Sequence, residues 1–285
     1  MSGPTPRGSL RLGVVLRVMG AASEPGLLRE CAQLADRSGI DDLWVVDHIA
    51  IPPDETEGSD GRYLDPLATL AYLAAVTERI GLGTSVLVLP YREPLPTAKS
   101  VATIQELSGG RLSLGVGVGW MKPEFKALGV PREERGQRTD RVLDTLHRCF
   151  EAEDDVVVEN DQAFVFRPRP ARPPIFVGGA PPHALERTVR YGDGWMPMGG
   201  DAQKLAPSIA RLRELADAAG RPTPEVVSLG GLPAGDPQRG AEQLHALAEV
   251  GVTRVVAGSR YVDLAGFREC VETVLAARDA AGMNG

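Results

Sequence analysis

Asp47 and His48 stand where a short apolar run, Leu43-Trp44-Val45-Val46, gives way to a loop. Histidine exchanges a proton near neutral pH and can act as a general acid or base. A lone loop histidine can equally cap the segment after it, so its place in the fold has to argue for it. Neighbouring strand residues point to opposite faces, so Asp47 need not pair with His48. A second candidate runs from Ser108-Gly109-Gly110-Arg111 through Leu112-Ser113-Leu114-Gly115-Val116 to Gly117-Val118-Gly119-Trp120. It reads as a helix stop, a buried strand and a glycine-rich exit carrying one large aromatic. Gly117 and Gly119 let backbone approach a neighbour closely. A third is Val177-Gly178-Gly179-Ala180, set between an apolar strand and a helix that opens near Pro182. Bare amides ahead of a helix can hold a phosphate, although a tight turn uses the same residues.

Weaker signals surround these. Gly83, Thr84 and Ser85 interrupt the apolar run 80–89. A glycine there marks a bulge or a close neighbour, and a hydroxyl can face inward or bond local backbone. Arg92, Arg135 and Arg138 follow strand segments and could reach an anion. Trp120 reads first as an apolar wall, as do Trp44 and Trp195. His147, His183 and His245 have no metal-ligand spacing, and no metal site is expected.

These residues need elements to position them. Short apolar runs alternate with amphipathic stretches along the whole chain. Strands are expected over 11–18, 42–47, 80–89, 111–118, 174–178, 194–198, 225–230 and 252–257. Helices are expected over 25–38, 66–77, 96–107, 138–150, 182–190, 202–219, 237–250 and 264–281. Asp65 and Pro66 form a cap and first-position pair for the second of these. A small hairpin over 156–166 turns at Asn160 and Asp161. Eight strand–helix pairs in order favour a closed (β/α)8 TIM barrel over a doubly wound open sheet. In such a barrel the C-terminal ends of the strands build the site, which is where His48, Ser85, Trp120 and Gly178 fall. The loop 49–63 reads as a cover over the barrel mouth.

The chain has 285 residues and a net charge of −7, with 43% hydrophobic and 24% charged residues. One barrel of about 250 residues fits that length. The acidic balance argues against nucleic acid or an acidic membrane as a partner. Residues 1–9 read as a flexible tail without the apolar run of a signal peptide, ahead of a single domain over 10–285. No segment approaches a membrane span. Cys31, Cys149 and Cys270 are odd in number and far apart, so no disulfide framework is expected and a cytoplasmic location fits.

Six motifs stand in one order: Asp47-His48; Arg79-Ile80-Gly81-Leu82-Gly83-Thr84-Ser85-Val86; Leu107-Ser108-Gly109-Gly110-Arg111-Leu112; Gly115-Val116-Gly117-Val118-Gly119-Trp120; Val177-Gly178-Gly179; Tyr191-Gly192-Asp193-Gly194-Trp195. As a set they resemble the luciferase-like monooxygenase superfamily, in particular its coenzyme F420-dependent oxidoreductases. The resemblance implies a bacterial luciferase-like barrel with a deazaflavin or flavin at its mouth. It implies a non-prolyl cis peptide at Ser85–Val86 behind the ring system, phosphate-binding glycines at Gly178 and Gly179, and His48 as the proton handler. By the same likeness Asp47, Thr84, Ser85, Val86, Gly117, Gly119, Val177, Gly178, Gly179 and Ala180 are expected around the cofactor. Trp120, Arg92 and Glu124 are expected around the substrate. Sugar-phosphate dehydrogenases of this kind carry a glutamate where this chain has Trp120, so their acid chemistry and substrate are not carried over.

The implied activity is hydride transfer between coenzyme F420 and a small organic substrate. FMN-dependent oxygenation on the same scaffold is the alternative, and a cofactor-storing protein without turnover is a third reading. A homodimer is implied by the resemblance alone. Substrate choice is expected to lie in the mouth loops 19–24, 49–63, 120–134 and 259–262.

Overall fold

The computed structural model describes residues 10–258 and 260–283. The tail expected over 1–9 and Ser259 of the last mouth loop lie outside them. The first strands are β1 (Arg11–Val15), β2 (Asp42–Val45), β3 (Gly81–Thr84), β4 (Leu87–Val88) and β5 (Leu112–Gly117). A hairpin of β6 (Val156–Glu159) and β7 (Gln162–Val165) stands apart from them. Then come β8 (Ile175–Gly178), β9 (Gly194–Met196), β10 (Glu225–Gly230) and β11 (Arg254–Ala257). The order is β3-β2-β1-β11-β10-β9-β8-β5-β4, and β5 also pairs back to β3 through Leu82–Leu112 and Gly83–Ser113. That last pairing closes the ring and rules out an open doubly wound sheet. β3 and β4 form one interrupted stave, so the closed barrel has eight parallel staves.

Around it run α1 (Pro25–Ser38), α2 (Pro66–Val76), α3 (Pro94–Leu107), α4 (Lys122–Ala127), α5 (Arg135–Glu151), α6 (His183–Tyr191), α7 (Ala202–Ala218), α8 (Pro237–Val250) and α9 (Leu264–Ala280). The cap expected for α2 is present, the Asp65 carboxylate accepting from the Ala68 amide at 2.9 Å. The hairpin turns at Asn160 and Asp161 with φ of 49° and 61°, both in the left-handed region that such short turns use. Among the described residues no helix is long and apolar enough to cross a membrane.

Two local expectations are corrected. The run 80–89 is not one strand: it breaks at Ser85-Val86, whose peptide bond is cis. The segment 120–134 is not only loop. It contains α4, with Pro123 in the first turn, where its missing N–H costs nothing, and Phe125 buried edge-on against Tyr91 at 5.0 Å.

The core has two layers. The larger lies between strands and helices and takes in Leu12, Val14, Leu43 and Val177. The smaller fills the barrel and consists of Trp44, Phe176, Met196, Val227 and Val256. Alternation along β2 sends Asp42 and Trp44 inward. Below Trp44 the Arg254 guanidinium lies 5.6 Å from its ring and 5.2 Å from that of Phe176. Arg254 pairs with Asp42 at 2.9 Å, and Asp42 also takes Arg11 at 3.0 Å, which closes the N-terminal end with neutralised charge. Trp44 needs room, and Gly83 on the neighbouring strand supplies it. A Cβ on Gly83 would stand 2.4 Å from the indole ring.

Gly83→Ala should therefore destabilise the protein by about 1–3 kcal/mol, the usual cost of overpacking. Chemical denaturation would read it, and a Gly83→Ala, Trp44→Leu double variant should recover part of the loss. An unchanged midpoint for Gly83→Ala would contradict this packing.

Candidate active site

The alternation that sends Trp44 inward also sends His48 toward the mouth and Asp47 away from it. Asp47 is buried behind the strand. Its carboxylate accepts from Arg92 Nη1 at 2.6 Å, Arg92 Nη2 at 3.0 Å and the Val88 amide at 2.7 Å. Arg92 Nη2 also reaches Asp65 at 3.1 Å. Burial pushes the Asp47 carboxyl above its ordinary value, against the pull of Arg92. Asp47 and Arg92, expected at cofactor and substrate, are instead committed to each other, tying the exits of β2 and β4 under the helices. Arg138 donates to the Pro90 carbonyl at 3.2 Å and Arg135 to that of Arg132 at 3.0 Å.

Glu124 is a second correction. Expected beside the substrate, it is 1% exposed and turned back under the β2 exit by α4. Its Oε1 accepts from the amides of Ile49 at 2.7 Å and Ala50 at 3.0 Å. Its Oε2 lies 3.0 Å from His48 Nδ1 and accepts from the Tyr91 hydroxyl at 3.2 Å. Burial raises the Glu124 carboxyl, but the bonds from His48, Ala50 and Ile49 outweigh it, and the net shift is downward. Burial and the adjacent Glu124 charge both push the Tyr91 hydroxyl upward. An ionised carboxylate only accepts, so His48 Nδ1 carries the hydrogen and Nε2 is the nitrogen left for the mouth.

The interrupted stave forms the floor. Thr84 is buried and donates to the Gly115 carbonyl at 2.6 Å, so its hydroxyl is committed to backbone. The Ser85 hydroxyl is enclosed and has no hydrogen-bond partner. Val86 packs on the interior cluster and spreads across two neighbouring strands. A Cβ on Gly117 would meet it at 2.5 Å, and one on Gly178 at 2.9 Å. What Gly117 and Gly178 let in is thus Val86. A Cβ on Gly119 would press on Val88 at 2.8 Å and Phe125 at 3.0 Å. The Val177 side chain belongs to the outer core, away from the mouth. Gly179 and Ala180 are exposed ahead of α6, with the Gly179 carbonyl held by Trp195 Nε1 at 2.9 Å.

The rim is aromatic on one side. Trp120 is 64% exposed, its ring 6.2 Å from His48 and nearly perpendicular to it. Tyr63, at the end of the cover loop, sits 5.1 Å from the same imidazole. That loop is tied to the β1 exit by Gly20 donating to the Arg62 carbonyl at 3.0 Å and by a Met19–Tyr63 bridge. Tyr63 and Tyr91, both in contact with the His48–Glu124 pair, were not singled out by sequence reasoning. Lys122-Pro123 was a readable helix start that would have found α4. Tyr63 and Tyr91 carry no local signal of their partners.

Comparison with known proteins identifies the family. The model of the luciferase-like monooxygenase family matches residues 14–231. An uncharacterized protein of Mycobacterium tuberculosis is 33% identical over 250 residues, covering 80% of this chain and 83% of that one. An F420-dependent glucose-6-phosphate dehydrogenase of Kineococcus radiotolerans is 32% identical over 208 residues, 69% of this chain and 60% of its own. A Type II Baeyer-Villiger monooxygenase component of Pseudomonas putida, solved with FMN, superposes with a TM-score of 0.76 at 14% identity, over 96% of this chain and 98% of that one. That last likeness is one of fold.

Glu124→Ala should cost about 1–3 kcal/mol at pH 7, because the amides of Ile49 and Ala50, the Tyr91 hydroxyl and His48 lose their acceptor. The folded carboxyl lies below its ordinary value of about 4.3, so this contribution is full above that pH and is lost as pH falls through the folded value. Denaturation of wild type and variant between pH 7 and 3 would show the gap closing at the acid end. A gap that stays constant would contradict the bonding described.

Proposed function

The chain belongs to the luciferase-like monooxygenase family, and from that premise we propose that it is an F420-dependent oxidoreductase moving a hydride between coenzyme F420 and a small organic substrate. The observation that carries the reading is His48, oriented by a buried carboxylate at the barrel mouth, together with the enclosed Ser85 hydroxyl, which lacks a partner among the described residues. The Kineococcus relative named for F420 supports that coenzyme. An FMN-dependent monooxygenase is the second reading, because the FMN-bound Pseudomonas structure shares the fold.

The residues fit a flat ring with an anionic tail. Ser85 offers an unused hydroxyl, and Val86 offers an apolar floor. Gly178, Gly179 and Ala180 offer a turn whose outer residues are exposed ahead of α6. When bound, the coenzyme supplies the two-electron chemistry that side chains cannot. His48 gives or takes the accompanying proton through Nε2. Glu124 holds the imidazole in place, as a buried carboxylate behind a catalytic histidine does. Trp120 walls the substrate side. A homodimer is part of the proposal. It is supported by α2, which carries no charged residue although Tyr72 and other positions on it are exposed, and sedimentation at twice the chain mass would test it.

Titration of the protein with F420 and with FMN tests the coenzyme, and micromolar binding of FMN alone would move the assignment to the second reading. His48→Ala should bind the coenzyme as wild type does and lower kcat about 10²–10⁴-fold, the usual worth of general acid–base catalysis. Unchanged turnover in that variant would remove His48 from the chemistry.

A further inference from the structure

Arg17 is a guanidinium at the mouth with no counter-ion among the described residues. Val15 packs on the interior cluster, and Arg17 follows two residues beyond the end of β1. Its amide donates to the Tyr261 hydroxyl at 2.7 Å, which fixes the backbone. Its Nη2 donates to the Gly58 carbonyl of the cover loop at 2.9 Å. Its Nε is enclosed and has no acceptor among the described residues. Among the described residues no carboxylate stands within 4.0 Å of it. The rim acid, Glu124, is already occupied by four donors. Arg132, Arg254 and Arg278 also keep an enclosed Nε without an acceptor, so what distinguishes Arg17 is a guanidinium beside the mouth with no carboxylate among the described residues, a partner that a ligand oxygen can supply.

Large apolar side chains also stand on the rim, beside the exposed Lys122 and Arg260. Ile49 after β2, Trp120 after β5, Met198 after β9 and Val262 after β11 are 46%, 64%, 78% and 69% exposed. Large apolar groups gathered at one open end of a barrel mark a surface that a ligand covers. Resting on the redox reading above, we propose that the substrate is an apolar molecule carrying one carboxylate, and that Arg17 selects it. The planar fork of Arg17 meets the carboxylate, and the apolar rim covers the remainder of the molecule. The coenzyme's own anionic tail is the other source of such a group, so the test must separate the two.

The probes are cinnamate and its neutral isostere cinnamamide, titrated by calorimetry into the full chain with and without coenzyme. Wild type should prefer cinnamate by about tenfold or more, as a charge-assisted hydrogen bond allows. Arg17→Gln should erase that preference and leave cinnamamide binding unchanged, since the amide can still donate to Gly58 and hold the loop. Arg17→Lys should keep part of the preference. If Arg17→Gln does not fold, acetate competition in wild type decides: acetate must weaken cinnamate and spare cinnamamide. The proposal is overturned if wild type shows no preference, if Arg17→Gln retains it, or if acetate acts on both probes alike. It is also overturned if Arg17→Gln weakens F420 or FMN binding tenfold while the cinnamate preference persists, because the anion then belongs to the coenzyme. Failure of either coenzyme to bind would refute the redox reading and leave the probe ratio on the coenzyme-free protein to judge Arg17.

Discussion

A single buried carboxylate organises the mouth of this barrel. Glu124 collects donors from His48, Tyr91 and the amides of Ile49 and Ala50, and so joins the exit of β2 to the short helix after β5. A charge removed from water is tolerated only when its lone pairs are filled, and here the four donors fill them. The arrangement orients the imidazole, sets which nitrogen carries hydrogen and anchors the start of the cover loop. None of these could change without leaving an enclosed polar group unpaired.

Beneath the mouth, space is allotted by pairing large side chains with missing ones. Trp44 fills the barrel because Gly13 and Gly83 flank it, and Val86 spreads over Gly117 and Gly178. Close packing fills the barrel interior around Trp44 and Val86. The charged floor at the other end, Arg254 with Asp42 and Arg11, closes the barrel from below. The closing ion pairs and the candidate site therefore lie at opposite ends of the same strands.

Family and architecture were legible in the chain. Eight alternating units, a proline-started α2 capped by Asp65 and the six ordered motifs all follow from local patterns, and the closed ring and the family match agree with them. Local patterns were less informative about what each site residue touches. The glycines of the β5 exit read as room for a ligand, yet Gly117 makes room for Val86 and Gly119 for Val88 and Phe125. Asp47 and Arg92 read as ligand contacts, yet they bond to each other across 45 positions of sequence.

Sequence alone determined the kind of element, its order and the residue types gathered at the strand ends, because helix caps, strand alternation and glycine stops act over a few residues. Only tertiary structure decided which of those side chains meet. His48 and Glu124 are 76 positions apart and are joined because the barrel closes and α4 folds back beneath the β2 exit. Distances of that kind are set by the packing of whole strands and helices, and no short stretch of sequence records them.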